Sequence, residues 1–352
     1  VTEQVAVVAF AQSPQVARTT GTTNGTEDLV PLFQRLLADT GLSRHDIGFW
    51  CSGSSDYLAG RAFTFVSAVD AIGAWPPIAE SHVEADGAWA LYEAWVKLLT
   101  GEADTALVYG FGKSSAGELR RVLALQLDPY LVAPLWPDAV SLAAVQARVG
   151  LEAGLWSEKE MAEVAARSRA DGAANPYAQL GGALDPAALL DEPYVADPLR
   201  AHDCPPVTDG AAAIVLARGE RARELCDRPA WIAGMAHRID SPVLGARDLS
   251  RAPSASAAAA AAGGVGGVRL AELATPFTSQ ELLLRRELGL GDGVRINPSG
   301  GPLCGNPLFA GGLVRIGEAA LRVMDGRAER VLAHASNGPL LQQNLICVME
   351  GR

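Results

Sequence analysis

Three turns rich in glycine, proline and uncharged polar residues are where this chain could do chemistry. The strongest is Ile296–Gly312 (INPSGGPLCGNPLFAGG), which runs straight into a helical pattern from Leu313. Residues that permit unusual φ, placed ahead of a helix N-terminus, can turn backbone N–H groups toward one anionic or carbonyl oxygen. Asn297, Ser299, Gly300 and Gly301 are the candidate donors in that turn. The second turn, His334–Asn344 (HASNGPLLQQN), follows a strand-like segment and contains no carboxylate, lysine or arginine. Its amides, Asn337 among them, are candidate oxyanion contacts, and a plain hairpin explains the segment nearly as well. The third, Asp203–Ala213 (DCPPVTDGAAA), is a tight polar loop running into a strand and needs no function to explain it.

Other chemistries lack their residues. Gly110–Ser115 (GFGKSS) fails the spacing of a phosphate-cradling loop. The first strand-like stretch, Val5–Ser13 (VAVVAFAQS), has no glycine with which to approach a dinucleotide. A GxSxG elbow for a hydrolase serine is missing. The cysteines, Cys51, Cys204, Cys226, Cys304 and Cys347, are odd in number, widely spaced and form no CxxC pair. That pattern fits reduced thiols in a cytoplasm rather than a disulfide frame or a structural zinc. Five scattered histidines show no ligand spacing either, so neither a metal nor a cofactor is expected. A formal charge of −11, with no basic run, argues against nucleic acid and anionic membranes as partners. Apolar stretches end well before the ~18 residues of a membrane span. The start, VTEQVAVVAF, has no basic leader region.

The elements that must hold these turns recur along the chain. Glu27–Thr40 has apolar residues at helical spacing, stops at Gly41 and is followed by a short apolar strand at Ile47–Cys51. The same grammar returns in Ser254–Ala262, Gly263–Gly264 and Val268–Leu273. A second helix, Gly and strand set, Trp89–Leu99, Gly101 and Thr105–Tyr109, matches Leu313–Val323, Gly326 and Arg330–His334. Both repeats fall at an offset of about 225 residues, which reads as an internal duplication with two βα halves about a pseudo-twofold axis. With 352 residues, 49% of them apolar, the chain is long enough to bury both halves. The site is expected where corresponding strand ends and helix N-termini meet. Between the halves, residues 114–200 carry prolines at 129, 134, 137, 176, 186 and 193 and read as an inserted cap. Within it, Ser157 and Glu160 form a capping-box pattern that starts a helix. The Ala257–Ala262 run, with its Gly-Gly stop, reads as a closely packed buried helix.

Together, the turns and the duplication resemble the thiolase superfamily, in particular the sterol-carrier-protein-type thiolases and the thiolase-like lipid-transfer proteins of actinobacterial steroid catabolism. The matching stretches are His82–Ala85 (HVEA), Ala106–Ser115, Pro198–Ala213, Glu272–Leu290 and Asn297–Gly312, spread over nearly the whole chain. The resemblance implies an α/β thiolase fold: duplicated βαβ halves in five αβαβα layers with an inserted loop domain. On this reading residues 1–113 and 201–231 form the N-terminal half, 114–200 the loop domain and 232–352 the C-terminal half. It also implies a tight dimer and an acyl-CoA thioester as substrate.

The family's catalytic residues do not carry over. A thiolase places its nucleophilic cysteine just after HVEA, where this chain has Asp86–Trp89 (DGAW). Ala274, Thr275 and Pro276 stand where the family has His-Asp ahead of Phe-Thr, Asn306 replaces the histidine of the Gly-His-Pro turn, and His334–Leu341 contains no second cysteine. Claisen cleavage needs a thiolate, a histidine that lowers its pKa and a second base, so thiolysis is not expected. What remains is a donor set, the NPSGG turn and the Asn306 amide, suited to a thioester enolate and hence to retro-aldol cleavage of a β-hydroxyacyl-CoA. Asp86 and His334 are the candidate bases, with a helix cap and a core histidine as their plain structural alternatives. Cys304 is a candidate nucleophile or a small buried thiol. Three readings stay open: a carbon–carbon lyase subunit acting on a bulky lipid or steroid acyl-CoA; a non-catalytic subunit completing a heteromer with an active paralogue or an OB-fold/zinc-ribbon partner; and lipid carriage without chemistry.

Overall fold

The computed structural model describes residues 4–20, 25–60 and 62–351. In chain order the first half contains β1 (Val5–Gln12), α1 (Thr26–Thr40), β2 (Phe49–Gly53), α2 (Asp56–Ala59), α3 (Phe65–Ile72), β3 (Glu80–Val83), α4 (Gly87–Thr100) and β4 (Thr105–Lys113). An inserted stretch follows with α5 (Leu119–Leu125), α6 (Ala139–Glu152), α7 (Glu158–Gly172), α8 (Pro186–Leu189), β5 (Tyr194–Ala196) and β6 (Leu199–Arg200). The chain then returns through β7 (Asp209–Arg218) and α9 (Gly219–Leu225). The second half is β8 (Ala230–Ile239), α10 (Pro253–Ala261), β9 (Leu270–Leu273), α11 (Thr278–Glu287), β10 (Arg295–Ile296), α12 (Gly311–Met324), β11 (Arg330–Asn337) and β12 (Gln343–Glu350).

Sheet topology makes the duplication explicit. The spatial order is β10-β9-β11-β12-β8-β1-β7-β4-β2-β3. Counted within its own half, each set of five runs third, second, fourth, fifth, first, outward edge to seam. The seam is a short antiparallel pairing of β1 with β8, Ala6 opposite Trp231 and Val7 opposite Ala230. Inside each half the second, third and fourth strands are parallel and the fifth is antiparallel to the fourth.

Alternating side chains sort the sheets into layers. Val5, Val7, Val108, Ile214, Val331, Ala333 and Cys347 face a shared core with Leu91, Leu98, Leu313 and Ile316, so α4 and α12 lie between the two halves' sheets. The opposite face of the first half packs on α1 and α3 through Leu29, Phe33, Leu36 and Ile72. That of the second half packs on α10 and α11 through Ala255, Ala258, Leu283 and Leu284. The result is the expected five-layer αβαβα stack. The alanine-rich α10 buries one face only, and its small side chains let β8 approach closely: a Cβ on Gly234 would lie 2.5 Å from the Ala262 carbonyl oxygen. The cap helix α7 starts with the capping box of Ser157 and Glu160. Among the described residues no helix is long and apolar enough to cross a membrane.

Glycines set the distance between β4 and the loop ahead of α12. A Cβ on Gly110 would lie 2.7 Å from the Phe309 carbonyl oxygen, and one on Gly112 only 1.8 Å from that of Leu308. Backbone cannot yield as a side-chain tip can. Gly112→Ala is therefore expected to destabilise the protein by about 3 kcal/mol, at the upper end of overpacking costs, measured by urea unfolding.

Candidate functional site

The N-termini of the two central helices meet at one carboxylate. Asp86 is the N-cap of α4, where Oδ1 accepts from the Ala88 N–H at 2.9 Å. The same oxygen accepts from the Leu313 N–H at 3.1 Å, and Oδ2 accepts from the Gly312 N–H at 3.0 Å. One side chain thus caps both helices, which is favourable because each N-terminus carries partial positive charge and unsatisfied donors. The approach requires small residues: a Cβ on Gly312 would sit 2.5 Å from Asp86 Oδ1 and 2.6 Å from the Ala335 Cβ. Burial pushes the Asp86 carboxyl up to about 6, against the pull of its three N–H donors and of Arg315.

Asn306 lies beside this junction. Its backbone N–H donates to Thr208 Oγ1 at 3.0 Å, and a Cβ on Gly311 would lie 3.2 Å from its Oδ1. The side chain is partly exposed. Asp86 and Asn306 are therefore brought together at the start of α12, the first against Gly312 and the second against Gly311.

The NPSGG turn lies deeper, and its N–H groups are already used. Ser299 N–H donates to Glu272 Oε1 at 3.0 Å, Gly300 N–H to the Asn297 carbonyl at 2.9 Å and Gly301 N–H to Ser299 Oγ at 3.3 Å. Asn297, at φ 48°, accepts from the Leu273 N–H at 2.6 Å through Oδ1. Glu272 is fully buried, bonded to Ser299 Oγ at 2.7 Å and to Arg315 Nη1 at 2.8 Å. Burial raises its carboxyl against the pull of that guanidinium. The turn anchors α12 to β9 rather than offering donors to a ligand.

His334 and Asn337 sit elsewhere. Ala333 and Ala335 face the central helices, so by strand alternation His334 faces the outer layer with Leu332. Its Nε2 lies 2.9 Å from Asn344 Oδ1, its Nδ1 is buried without a partner, and burial lowers its pKa to about 4. The ring is neutral at pH 7 and separated from Asp86 by the sheet. Asn337 is at the open end of β11, with Oδ1 accepting from the Gly338 N–H at 3.0 Å. Cys304 is buried against α7, its Sγ donating to the Ser168 carbonyl at 3.1 Å, and burial raises its thiol. Cys51, Cys204, Cys226 and Cys347 are also raised by burial, Cys204 and Cys347 to about 12.

A cleft of about 1110 Å³ opens where the cap meets the first half. Arg18, Arg120 and Arg121 line it together with Glu118, Asp138, Trp136 and Val207, the last being next to the Thr208 that holds Asn306. Arg120 pairs with Asp138 at 3.3 Å and Arg18 donates to the Ser115 carbonyl at 3.1 Å. Trp136 is held at φ 50° while 53% exposed. A bulky side chain in the left-handed region costs roughly 1–2 kcal/mol, and such strain concentrates at functional sites. Ser114 Oγ is buried there without a partner. This cleft is not legible in the sequence. The adjacent Arg120 and Arg121 were its one visible sign, and their convergence with Arg18 depends on the fold.

No family model matches the chain. It is 27% identical over 290 residues to the acetyl-CoA acetyltransferase of Methanothermobacter thermautotrophicus, covering 74% of this chain and 76% of that protein. To the 17-hydroxy-3-oxo-4-pregnene-20-carboxyl-CoA lyase of Mycobacterium tuberculosis it is 29% identical over 214 residues, 57% of this chain and 54% of the lyase. A solved structure of the Ltp2-ChsH2(DUF35) aldolase superposes with a TM-score of 0.77 at 20% identity, covering 99% of this chain and 98% of that one.

Asp86→Asn replaces an acceptor of three N–H bonds by an amide that presents a donor, and should cost about 3 kcal/mol or more. Because the folded carboxyl lies above its ordinary 3.8, the native state holds the proton more tightly than the unfolded chain. The contribution of Asp86 to stability therefore falls as pH rises from 3.8 to about 6, and urea titrations of the variant should lack that slope. The chain thus has a thiolase-like fold, shared with the aldolase structure, and is similar in sequence to acetyl-CoA acetyltransferases and to a steroid-carboxyl-CoA lyase.

Proposed function

We propose that this chain is a thiolase-like subunit that binds the CoA thioester of a bulky lipid or steroid acid and takes part in retro-aldol cleavage rather than thiolysis. The observation that carries the reading is the occupant of the joint helix N-terminus: a carboxylate with an amide beside it, while every cysteine thiol is raised by burial. A nucleophilic cysteine needs the opposite, a thiol lowered by helix N-terminus or cation. The lyase similar in sequence and the aldolase similar in fold support C–C cleavage. The absence of a lowered thiol, rather than the relatives, argues against acyl transfer, since acetyl-CoA acetyltransferases are also among those relatives.

In this reading the CoA phosphates meet Arg18, Arg120 and Arg121, the Trp136 ring offers a face to the adenine, and the thioester carbonyl reaches Asn306. A base removes the β-hydroxyl proton, the Cα–Cβ bond breaks, and its electron pair moves onto the thioester as an enolate. The Asn306 amide N–H donates to that oxygen. Protonation at the α-carbon then releases a shortened acyl-CoA and a carbonyl compound. Asp86 is the base candidate at that end of the sheet, since Oδ2 accepts a single hydrogen bond. The alternative, a non-catalytic subunit of a heteromer with a paralogue or an OB-fold/zinc-ribbon partner, is favoured by the 8% exposure of Asp86 and its three backbone bonds.

Mass spectrometry of a β-hydroxyacyl-CoA incubated with the purified protein, alone and co-expressed with its genomic neighbours, separates the two. If the chain carries the oxyanion contact, Asn306→Ala lowers turnover about 10²-fold with little change in stability. Turnover that needs a second protein and ignores Asn306→Ala assigns the chemistry to the partner.

A further inference from the structure

The turn between β11 and β12 takes no part in the chemistry just described, yet it is built under strain. Leu340 and Leu341 are consecutive non-glycine residues at φ 59° and 56°, a conformation that branched side chains keep only where their surroundings enforce it. Both are buried. Two attachments enforce it. Arg247 donates from Nη1 to the Pro339 carbonyl at 3.3 Å and from Nη2 to the Leu340 carbonyl at 2.7 Å. From the other side Asn344 Nδ2 donates to the Leu341 carbonyl at 2.8 Å and to Ser254 Oγ at 2.7 Å.

The strained residues reach into different layers. Leu341 joins the core beneath α10 and α11. Leu340 crosses into the cap, where it packs with Ala124, Leu127, Val132 and Leu142. The other four buried members of that cluster come from the inserted stretch, and Leu244 and Leu249 pack against it, so Leu340 is the buried residue through which the second half enters it. Ala124 belongs to α5, and the same helix contributes Leu119, Arg120 and Arg121 to the cleft wall. Leu340 itself does not line the cleft.

We propose that this turn is a strap that positions α5, and through it the arginine wall of the cleft, with Leu340 and Arg247 as positioning residues for the CoA end of the substrate. The inference rests on the cleft being the CoA site. Occupancy of the cleft should then tighten a turn that the ligand never touches, because the two share one buried cluster.

Amide hydrogen exchange on the full chain, with acetyl-CoA titrated by calorimetry, tests it in wild type, Leu340→Ala and Arg247→Met. The expected result is exchange in α5 faster by about tenfold or more in both variants, with α4 and α12 unchanged. Acetyl-CoA affinity should fall by a similar factor, and acetyl-CoA should slow exchange at residues 338–342 in wild type. Wild-type exchange in α5 in both variants overturns the strap, as does acetyl-CoA binding at wild-type affinity. Arg247→Met keeps most of the side-chain volume at a partly exposed position, so it reports even if Leu340→Ala fails to fold. A wild-type protein that does not bind acetyl-CoA removes the cleft assignment, and exchange in α5 still decides the strap.

Discussion

The attraction between one buried carboxylate and two helix N-termini is the constraint from which much of this molecule follows. Three backbone N–H groups, one at the start of α4 and two at the start of α12, converge on Asp86. Converging helix ends would repel one another and leave donors unmet if no anion lay between them. The carboxylate solves both problems with a residue of the chain itself. It also dictates sequence around it: Gly87 and Gly312 admit the approach, since a Cβ on Gly87 would lie 3.0 Å from the Leu313 side chain. Once the two helices are fixed at their N-termini, their apolar faces set the spacing of both sheets.

A second polar network carries that order outward. Glu272 on β9, Ser299 in the NPSGG turn and Arg315 on α12 form a buried triangle, and Glu318 one turn later accepts from Gln12 Nε2 at 2.7 Å. Asn175, just beyond cap helix α7, donates to the Ser299 carbonyl at 3.0 Å. Buried ionic groups are costly unless fully bonded, and here the partners come from the first half, the cap and the second half at once. The turn whose glycines and prolines looked most like ligand-binding backbone is thus a joint of the scaffold.

The repeat, its helix stops at Gly41 and Gly101 and the paired strands were legible in the sequence because periodicity and glycine stops are local signals. Asp86 could be read as an N-cap of α4, since the signal lies in adjacent residues. Its second role, capping a helix more than two hundred positions away, could not. The side on which His334 falls was readable from alternation with Ala333 and Ala335, provided the inward face was known. The use of the NPSGG donors was hidden because their acceptors, such as Glu272, are distant in sequence. Leu340 and Leu341 gave no sign at all: positive φ at a branched residue is imposed by packing and leaves no trace in residue type.

The seam between the two sheets spans two residue pairs, Ala6 with Trp231 and Val7 with Ala230. So short a ladder contributes little of the cohesion between the halves. What joins them is the sandwich of α4 and α12, and pulling the sheets apart would bring Leu91, Leu98, Val314 and Ile316, all fully buried, into water together. A chain assembled from two copies of one motif has in this way given up the independence of its parts. Neither copy retains a complete interior by itself, since the helices that fill the space between the sheets belong to both halves at once.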